Sequence, residues 1–354
     1  MVNETVRIGV IGAGRIGRLH AGHLAHRVGG ARLLAISDIR LEEARRCASE
    51  LGIPECHEDY RKVLENREID AVVICSSTDT HAQFIEEAAE AGKHIFCEKP
   101  IALDLARIDR ALAKADGKKV KLQIGFNRRF DSNFRRIREL IREGAIGDPH
   151  ILRITSRDPS PPPIEYVKVS GGLFLDMMIH DFDMARYLIG AEVEELFAYG
   201  EVRVQKEIGE AGDVDTALVS LKFENGVIGA IDNSRKAVYG YDQRVEVFGS
   251  KGMVSTENNT PNRVSLSTAE AVKGDLPLNF FMDRYIDSYI REMEAFVRCI
   301  VEDTEPPVTG MDGKIPVILG QSAKRSCELG KPVKPPMVAG SKPVGTKPGS
   351  TKSG

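Results

Sequence analysis

The sequence predicts an α/β protein with an N-terminal doubly wound parallel sheet and a C-terminal α/β domain whose sheet is mainly antiparallel. Three observations lead to this prediction. The chain has 354 residues, more than one hydrophobic core usually supports. Strand-like and helical segments alternate as far as about residue 125. After residue 195, four strand-like segments follow one another without a helix between them.

The alternation in the N-terminal part is typical of parallel strands whose crossover helices cover both faces of the sheet. The apolar segments predict strands at 6–11, 33–36, 71–75, 94–97 and 120–125. The stretches between them predict helices at 15–27, 41–51, 81–91 and 104–114. We expect this domain to comprise residues 1–124.

The C-terminal part has a different pattern. Strands are expected at 150–156, 195–204, 214–223, 227–234 and 243–249, and Glu224-Asn225-Gly226 predicts a hairpin turn. Helices are expected at 131–143, around 176–180, at 281–301 and at 312–329. We expect this domain to comprise residues 125–337. A disordered tail should follow at 338–354, because a segment rich in Lys, Gly, Pro and Ser buries too little apolar area.

The composition limits the possible classes of function. The formal net charge of -3 argues against a general nucleic-acid surface. No apolar run approaches the roughly 20 residues that cross a bilayer, so we expect no membrane partner. Six cysteines without a Cys-x-x-Cys pair indicate reduced thiols and a cytoplasmic protein.

The first chemical motif is a G-x-G-x-x-G sequence, residues 12–17, directly after a strand. Gly12 permits a tight turn, Gly14 lets a pyrophosphate approach the backbone, and Gly17 allows the helix to pack closely on the strand. Phosphate would then lie at the N-terminus of the helix. The motif therefore predicts dinucleotide binding, with a glycine-rich structural turn as the alternative. The predicted contacts are Gly12, Ala13, Gly14, Arg15 and Ile16.

Asp38 ends the second strand, 21 residues after Gly17. Its carboxylate should accept hydrogen bonds from the adenosine ribose hydroxyls and should repel a 2′-phosphate. We therefore expect NAD rather than NADP, although Arg40 could partly offset the repulsion. A cap for the helix that starts near Leu41 is the other interpretation of Asp38, and it is compatible with binding.

Two further segments end strands at the same edge of the sheet, residues 76–81 and residues 97–100. Polar groups at this edge face the cofactor crevice. A partly desolvated lysine beside a nicotinamide ring is also a usable proton donor or acceptor, although Lys99 could equally be a surface lysine. Ser77 and Thr78 could equally be only helix caps. The predicted cofactor contacts here are Ser76, Ser77, Thr78, His81, Glu98 and Lys99.

Asp176 and His180 stand four residues apart inside an apolar helical segment. On an α-helix they share one face, so the acid can hold the imidazole and bias its protonation state. Such a pair suits proton transfer, and a buried core histidine is the alternative. A metal site that also used Asp181 and Asp183 would need a ligand from elsewhere that we cannot identify, so we expect no metal.

The glycine turn, the Glu98-Lys99-Pro100 element and the Asp176–His180 pair, in this order, resemble the glucose-fructose oxidoreductase and inositol dehydrogenase (GFO/IDH/MocA) family. The resemblance covers almost all of residues 5–333, and residues 125–131, 171–188 and 239–244 are similar to the inositol 2-dehydrogenase branch. It implies a Rossmann domain, then an α/β domain whose open sheet builds homotetramers.

The resemblance also implies roles for individual residues. Lys99, Asp176 and His180 match the family's catalytic set: His180 takes the hydroxyl proton, Asp176 orients His180, and Lys99 assists the proton transfer. The family's inositol enzymes often have Met where Asn127 stands, and His and Asn near Ser156 and Asp158, which affects the expected stereochemistry. The predicted substrate-binding residues are Lys99, Arg128, Asp158, Asp176, His180, Asp183 and Tyr239.

These donors and acceptors suit an uncharged polyol, because a dicarboxylate or a phosphorylated sugar would need unpaired positive charge. The expected reaction is NAD-dependent oxidation of a secondary hydroxyl, taking myo-inositol to 2-keto-myo-inositol (scyllo-inosose). Another inositol isomer or an aldose is the alternative substrate. A non-catalytic NAD(P)-sensing regulatory protein is the alternative from another class, and the retention of all three catalytic residues argues against it.

Overall fold

The structure is a computed structural model that describes residues 5–336. The predicted tail at 338–354 lies outside these residues. None of the helices in the described part of the chain combines the length and the apolarity needed to cross a lipid bilayer. All six cysteines lie in the described part and carry free thiols.

The chain packs into two compact units. The first comprises the described residues up to Phe130 together with Asp287–Val317. The second comprises Asp131–Ile286 together with the described residues from Ile318 to 336. The contiguous domains 1–124 and 125–337 remain predictions, and the packing differs from them mainly because a late segment returns to the first unit.

A parallel sheet forms the centre of the first unit. Its strands are β1 (Val6–Ile11), β2 (Ala31–Ser37), β3 (Glu55–His57), β4 (Ala71–Ile74), β5 (His94–Glu98) and β6 (Leu122–Gly125). They lie in the order β3-β2-β1-β4-β5-β6, and the order reverses beside β1. This is the doubly wound arrangement, so the predicted Rossmann sheet is confirmed.

Helices connect these strands and leave β1 and β4 almost fully buried, as expected for a parallel sheet covered on both faces. The strand β3 was not predicted, because three residues show no usable periodicity. The helices are α1 (Arg15–His26), α2 (Leu41–Leu51), α3 (Arg61–Glu65), α4 (Thr78–Glu90) and α5 (Leu105–Lys118).

The second unit contains a mixed sheet. Its strands are β7 (Pro149–Arg157), β8 (Val193–Glu201), β9 (Thr216–Phe223), β10 (Ile228–Ser234), β11 (Asp242–Gly249) and β12 (Gly252–Thr256), in the order β12-β11-β7-β10-β9-β8. β7 and β10 pair in parallel, and the other neighbours pair antiparallel. The predicted mainly antiparallel sheet is confirmed. A small hairpin of β13 (Ser265–Ser267) and β14 (Val272–Gly274) follows.

One face of this mixed sheet is buried and the other is open. Along β10, Gly229, Ile231 and Asn233 are buried, whereas the residues between them are half-buried or exposed. Such alternation indicates that one face packs against helices. The open face carries exposed large apolar side chains in neighbouring strands, namely Tyr199, Leu218, Ile228, Phe248 and Met253.

The helices of the second unit include one local departure from the prediction. The expected α-helix around residues 176–180 begins with a single π-helical turn, Leu173–Met177, in which Met178 N donates to Leu173 O at 2.9 Å. Asp176 lies in this turn, whereas His180 lies in the α-helix after it. The α-helices are α6 (Ser132–Arg142), α7 (Ile164–Ser170), α8 (Ile179–Ile189) and α9 (Lys206–Glu210).

Two long helices close the described chain, α10 (Phe281–Val301) and α11 (Gly310–Leu329). The apolar face of α10 joins the same core cluster as β1, β2 and β4. The spacing of three and four residues between its members is that of one helix face. This packing explains why the segment returns to the first unit. The buried members are Ile290, Met293, Phe296, Val297 and Cys299.

Met293 tests this assignment, because its side chain is fully buried in the core of the first unit. Met293→Ala should lower the free energy of unfolding by about 2–5 kcal/mol through lost burial and a residual cavity. Urea denaturation measures the change. The exposed neighbour Glu294 gives the control Glu294→Ala, which should stay within about 0.5 kcal/mol of the parent. Equal effects of the two substitutions would contradict the packing.

Candidate active site

The glycine turn after β1 requires glycine at two positions. Gly12 has φ +102°, and a Cβ there would lie 2.6 Å from Cys75 O. A Cβ on Gly17 would lie 1.8 Å from Gly12 O. Gly12 therefore permits the turn, as the motif predicts. Gly17 permits the close approach of α1 to the strand, which the motif also predicts.

The N-terminus of α1 is suited to bind an anion. Gly14 is its N-cap residue, no side chain caps it, and its first turn contains no acidic residue. A Cβ built on Gly14 would meet nothing within 4 Å, so this side of the turn is open. Open space beside uncapped N–H groups fits the pyrophosphate of a dinucleotide.

Asp38 lies at the end of β2, beside this turn. Its Oδ2 accepts a hydrogen bond from Ala13 N at 2.7 Å, and its Oδ1 accepts one from Arg40 N at 2.8 Å. Arg40, not Asp38, is the N-cap residue of α2, so the carboxylate braces the glycine turn rather than capping the helix. The guanidinium of Arg40 is mostly exposed and its Nε is 3.9 Å from Oδ1, so it offsets little of the negative charge.

The segment after β4 contains the predicted cofactor contacts Ser76, Ser77 and Thr78, which lie at successive positions at the start of α4. Ser77 is the N-cap residue of α4 but makes no capping hydrogen bond, and Thr78 is the first helical residue. Ser76 Oγ lies 2.7 Å from Thr80 Oγ1. Contacts of Ser76, Ser77 and Thr78 with a cofactor remain predictions.

His81 is buried beneath this segment rather than at its surface. Its Nδ1 lies 2.8 Å from Pro100 O, and its Nε2 lies 3.1 Å from Ser76 O. Burial lowers the pKa of His81, so the ring is neutral and its single N–H can donate to only one carbonyl at a time. The geometry therefore favours a structural role for His81, which joins two loops, over the predicted contact between His81 and the cofactor.

Glu98 and Lys99 follow one another at the carboxyl end of β5. The Lys99 side chain is half-buried, and the Lys99–Pro100 peptide bond is cis. Glu98 Oε1 lies 2.7 Å from Nε2 of His20, a fully buried residue of α1. Sequence reasoning did not assign this partner, because the two residues are 78 positions apart. Lys99 as a catalytic residue and Glu98 as a cofactor contact remain predictions.

Within the described residues, His20, Glu98 and Glu292 bring ligand-type atoms within 4.8 Å of one another. Two ligands of one zinc ion would lie about 3.3 Å apart, whereas the 2.7 Å between His20 and Glu98 is a hydrogen-bond distance. Burial and the charge of Glu98 raise the pKa of Glu292 well above its ordinary value, which favours the neutral acid over a carboxylate ligand. The geometry therefore favours a hydrogen-bonded cluster over a metal site.

The Asp176 carboxylate is held by two side chains of the second unit. Tyr166 Oη donates to its Oδ1 at 2.8 Å, and Arg235 Nη2 donates to its Oδ2 at 3.1 Å. His180 lies four residues later, partly exposed, near the start of α8. The geometry fits an oriented carboxylate beside a titratable ring, and the orientation of His180 by Asp176 remains a prediction.

Arg235 is the functional candidate that sequence reasoning missed. It follows β10 directly, its side chain is 3% exposed, and Nη1 donates to Asp158 Oδ2 at 3.4 Å while Nη2 binds Asp176. Nothing in the local sequence distinguishes it from a surface arginine, because its partners lie in other elements.

Two of the predicted substrate residues are buried. Arg128 lies in a 3₁₀ turn, Asn127–Phe130, that follows β6 in the first unit. Asp183 lies in α8 of the second unit, three residues after His180. Both remain predicted substrate contacts.

Tyr239 contacts other side chains than the two that hold Asp176. Its hydroxyl donates to Asp242 Oδ2 at 2.6 Å and accepts from Arg157 Nη1 at 3.1 Å. Both it and Arg157 line a cavity of about 710 Å³ that also includes Tyr199, Leu218 and Asp232. This cavity is on the open face, whereas α8 packs on the buried one, where Asn233 Nδ2 donates to Asp181 Oδ2 at 2.9 Å. The geometry does not place Tyr239 with Asp176 and His180.

Family models match both parts of the chain. Residues 6–126 match a model described as an oxidoreductase family with an NAD-binding Rossmann fold. Residues 134–255 match a model described as the GFO/IDH/MocA C-terminal domain. Together the two matches cover well over half of the chain.

Known proteins are similar over nearly the whole chain. A myo-inositol 2-dehydrogenase of Thermotoga maritima is 51% identical over 93% of this chain and 98% of its own length. An inositol 2-dehydrogenase of Rhizobium meliloti is 46% identical over 91% of this chain and 97% of its own. The crystal structure of a Lactobacillus casei scyllo-inositol dehydrogenase with NAD(H) and scyllo-inositol has a TM-score of 0.87 and 32% identity, over 93% of this chain and 99% of that one.

Asp38 provides a test of dinucleotide selection. Asp38→Ala should weaken NAD binding about ten-fold and narrow the preference for NAD over NADP, because the ribose acceptor and the repulsive charge are both lost. Asp38→Asn is the matched control: it keeps an oxygen for Ala13 N but removes the charge, so it should narrow the preference with a smaller loss of NAD affinity. Titration with each dinucleotide measures both. An unchanged preference in the two variants would leave Asp38 only the role of bracing the turn.

Proposed function

The chain belongs to the GFO/IDH/MocA oxidoreductase family, and from this premise we propose that it is an NAD-dependent dehydrogenase of cyclic polyols. The proposed reaction oxidises one secondary hydroxyl of myo-inositol to the ketone of 2-keto-myo-inositol. The similarity to the Thermotoga maritima myo-inositol 2-dehydrogenase, which extends over nearly the whole chain, carries the proposal. The local chemistry of both units agrees with it.

The first unit would hold NAD at the carboxyl edge of its sheet. The uncapped N-terminus of α1 would bind the pyrophosphate, and Asp38 would accept hydrogen bonds from the adenosine ribose. Ser76, Ser77 and Thr78 follow β4 at the same edge. When bound, NAD supplies the hydride acceptor, C4 of the nicotinamide.

The second unit would supply the general base, and the first unit would supply Lys99. Loss of hydride from the carbinol carbon leaves the hydroxyl proton to be removed, and His180 would accept it as the general base. Asp176 would orient the ring and stabilise its charged form. Lys99, directly after β5, would hold substrate hydroxyls and assist the proton transfer.

A polyol fits the remaining polar groups of the second unit. Asp158, Asp176 and Asp183 offer acceptors for several hydroxyl groups. The buried cation Arg235 is already paired with two of these carboxylates, so it supplies little positive charge for an anionic substrate. Arg128 of the first unit is retained as a proposed substrate contact, and Tyr239 is not, because its hydroxyl lies on the open face.

Two further proposals concern the protein as a whole. The exposed apolar side chains on the open face of the mixed sheet support a subunit interface there, and we propose a homotetramer, because exposed large apolar side chains on one sheet face are typical of subunit interfaces. The six free thiols support a cytoplasmic location, where cysteines stay reduced.

A substrate panel tests the proposed function. The purified protein is mixed with NAD or NADP and with myo-, scyllo- or chiro-inositol, glucose or xylose, and reduced nicotinamide is followed by absorbance. We expect the highest kcat/KM for myo-inositol with NAD. A higher value for another isomer or for an aldose would change the substrate. NAD binding without reduction on any substrate would contradict the enzyme and favour the regulatory protein.

Substitution of the proposed acid–base groups should separate chemistry from cofactor binding. His180→Ala and Lys99→Met should each lower kcat by about 10²-fold or more, because these groups act in the transition state, while NAD affinity changes little. Steady-state kinetics and NAD titration measure the two effects. His150→Ala, at an exposed histidine of β7, is the control and should be active. Near-normal turnover of either active-site variant would refute its role.

A further inference from the structure

We propose that Arg235 is a positioning residue of this reaction, which fixes the carboxylates of Asp158 and Asp176 relative to each other in the substrate pocket. The inference rests on the proposed dehydrogenase function and extends it to a residue outside every sequence motif. Arg235 would act on the substrate only through these two carboxylates.

The contacts of Arg235 join separate elements of the second unit. Asp158 follows β7 directly, and Asp176 lies in the π-helical turn before α8. One guanidinium donates to both, at 3.4 Å and 3.1 Å. Its backbone is also fixed, because Arg235 N donates to Asp215 O at 2.8 Å. A planar guanidinium whose backbone is fixed is suited to set the distance between two carboxylates.

The charges explain why a cation is needed at this position. Burial lowers the pKa of Arg235, but the negative charges of Asp176, Asp158 and Asp213 outweigh it and raise the pKa above its ordinary value. The guanidinium therefore stays charged. Two carboxylates in one pocket repel each other, so one of them would take up a proton if no cation lay between them. Arg235 thus keeps both available as acceptors.

Tyr166 completes the hold on Asp176. Burial and the charge of Asp176 raise the pKa of Tyr166, so its hydroxyl stays protonated and donates to Oδ1. Arg235 holds Oδ2. With both oxygens oriented, the carboxylate cannot rotate freely, and the acceptor directions that remain are set in advance. The hold on Asp176 should affect kcat, and the hold on Asp158 should affect KM.

The pH dependence of the reaction should report this arrangement. Tyr166 of α7, Arg235 after β10, Asp158 after β7 and Asp213 before β9 are the charged and titratable groups that interact with one another around Asp176. His180 follows Asp176 by four residues, in α8. Loss of the cation favours protonation of the carboxylates. The acidic limb of the kcat/KM profile should therefore move to higher pH when the cation is removed.

Three variants test the proposal with the best polyol substrate of the parent enzyme. Arg235→Met should lower kcat/KM by about 10²-fold and move the acidic limb to higher pH. Arg235→Lys keeps the charge but cannot bridge two carboxylates. Its kcat/KM should fall about ten-fold, and its acidic limb should move less than that of Arg235→Met. Tyr166→Phe should lose a few-fold in kcat with little change in KM. NAD affinity and the melting temperature are measured for each.

A double-mutant cycle distinguishes action through Asp176 from independent damage. If Arg235 acts through Asp176, then Arg235→Met combined with Asp176→Asn should lose much less kcat than the product of the two single losses. Arg142→Met, at an exposed arginine at the end of α6, is the matched control and should leave the kinetics unchanged. If Arg235→Met does not fold, Arg235→Lys carries the cycle in its place.

The outcomes separate this proposal from the proposed function. Turnover by the parent enzyme, with additive losses in the cycle and an unshifted pH profile in the Arg235 variants, would overturn the positioning role alone. A lower melting temperature with unchanged kcat, KM and pH profile would make Arg235 a purely structural residue and would overturn it as well. A parent protein that binds NAD but oxidises no polyol would overturn the proposed function, and this inference with it.

Discussion

The dinucleotide-binding part of the protein depends on one backbone contact, the packing of Gly17 against the carbonyl of Gly12. Any larger residue at position 17 would collide with that oxygen, so only glycine lets α1 start this close to β1. The contact directs the first N–H groups of α1 along the turn and leaves Ala13 N where Asp38 can accept its hydrogen bond. A turn, a helix and the end of a second strand are thus fixed together, which explains why so short a motif is so informative.

The regular elements could be predicted because their signals are local. α2 was expected at 41–51 and occupies Leu41–Leu51, and the Glu224-Asn225-Gly226 turn joins β9 to β10 with Gly226 at φ +86°. Periodicity and turn chemistry depend on residues that are close together in the sequence. They can therefore be recognised without knowledge of the tertiary structure. Elements of three to five residues, such as β3 and α9, were not predicted, because they are too short for a periodic pattern to repeat clearly.

The candidate site could be predicted only in part, because its arrangement depends on residues far apart along the chain. Arg235 is 59 positions from Asp176 and 77 positions from Asp158, so no local sequence pattern indicates that it contacts them. The same holds for His20 beside Glu98. At the first residue of the π-helical turn, Leu173 N donates to both carboxylate oxygens of Asp213, which lies 40 positions away along the chain. Periodicity places a side chain on a face but does not identify its partner.

The return of α10 to the first unit has a consequence for biosynthesis. The parallel sheet leaves the ribosome long before Ile290, Met293, Phe296 and Val297 do, although these side chains belong to its core. Until they arrive, the apolar surface that they cover is accessible to chaperones and to other nascent chains. The nucleotide-binding half can therefore mature only after most of the other half has been translated.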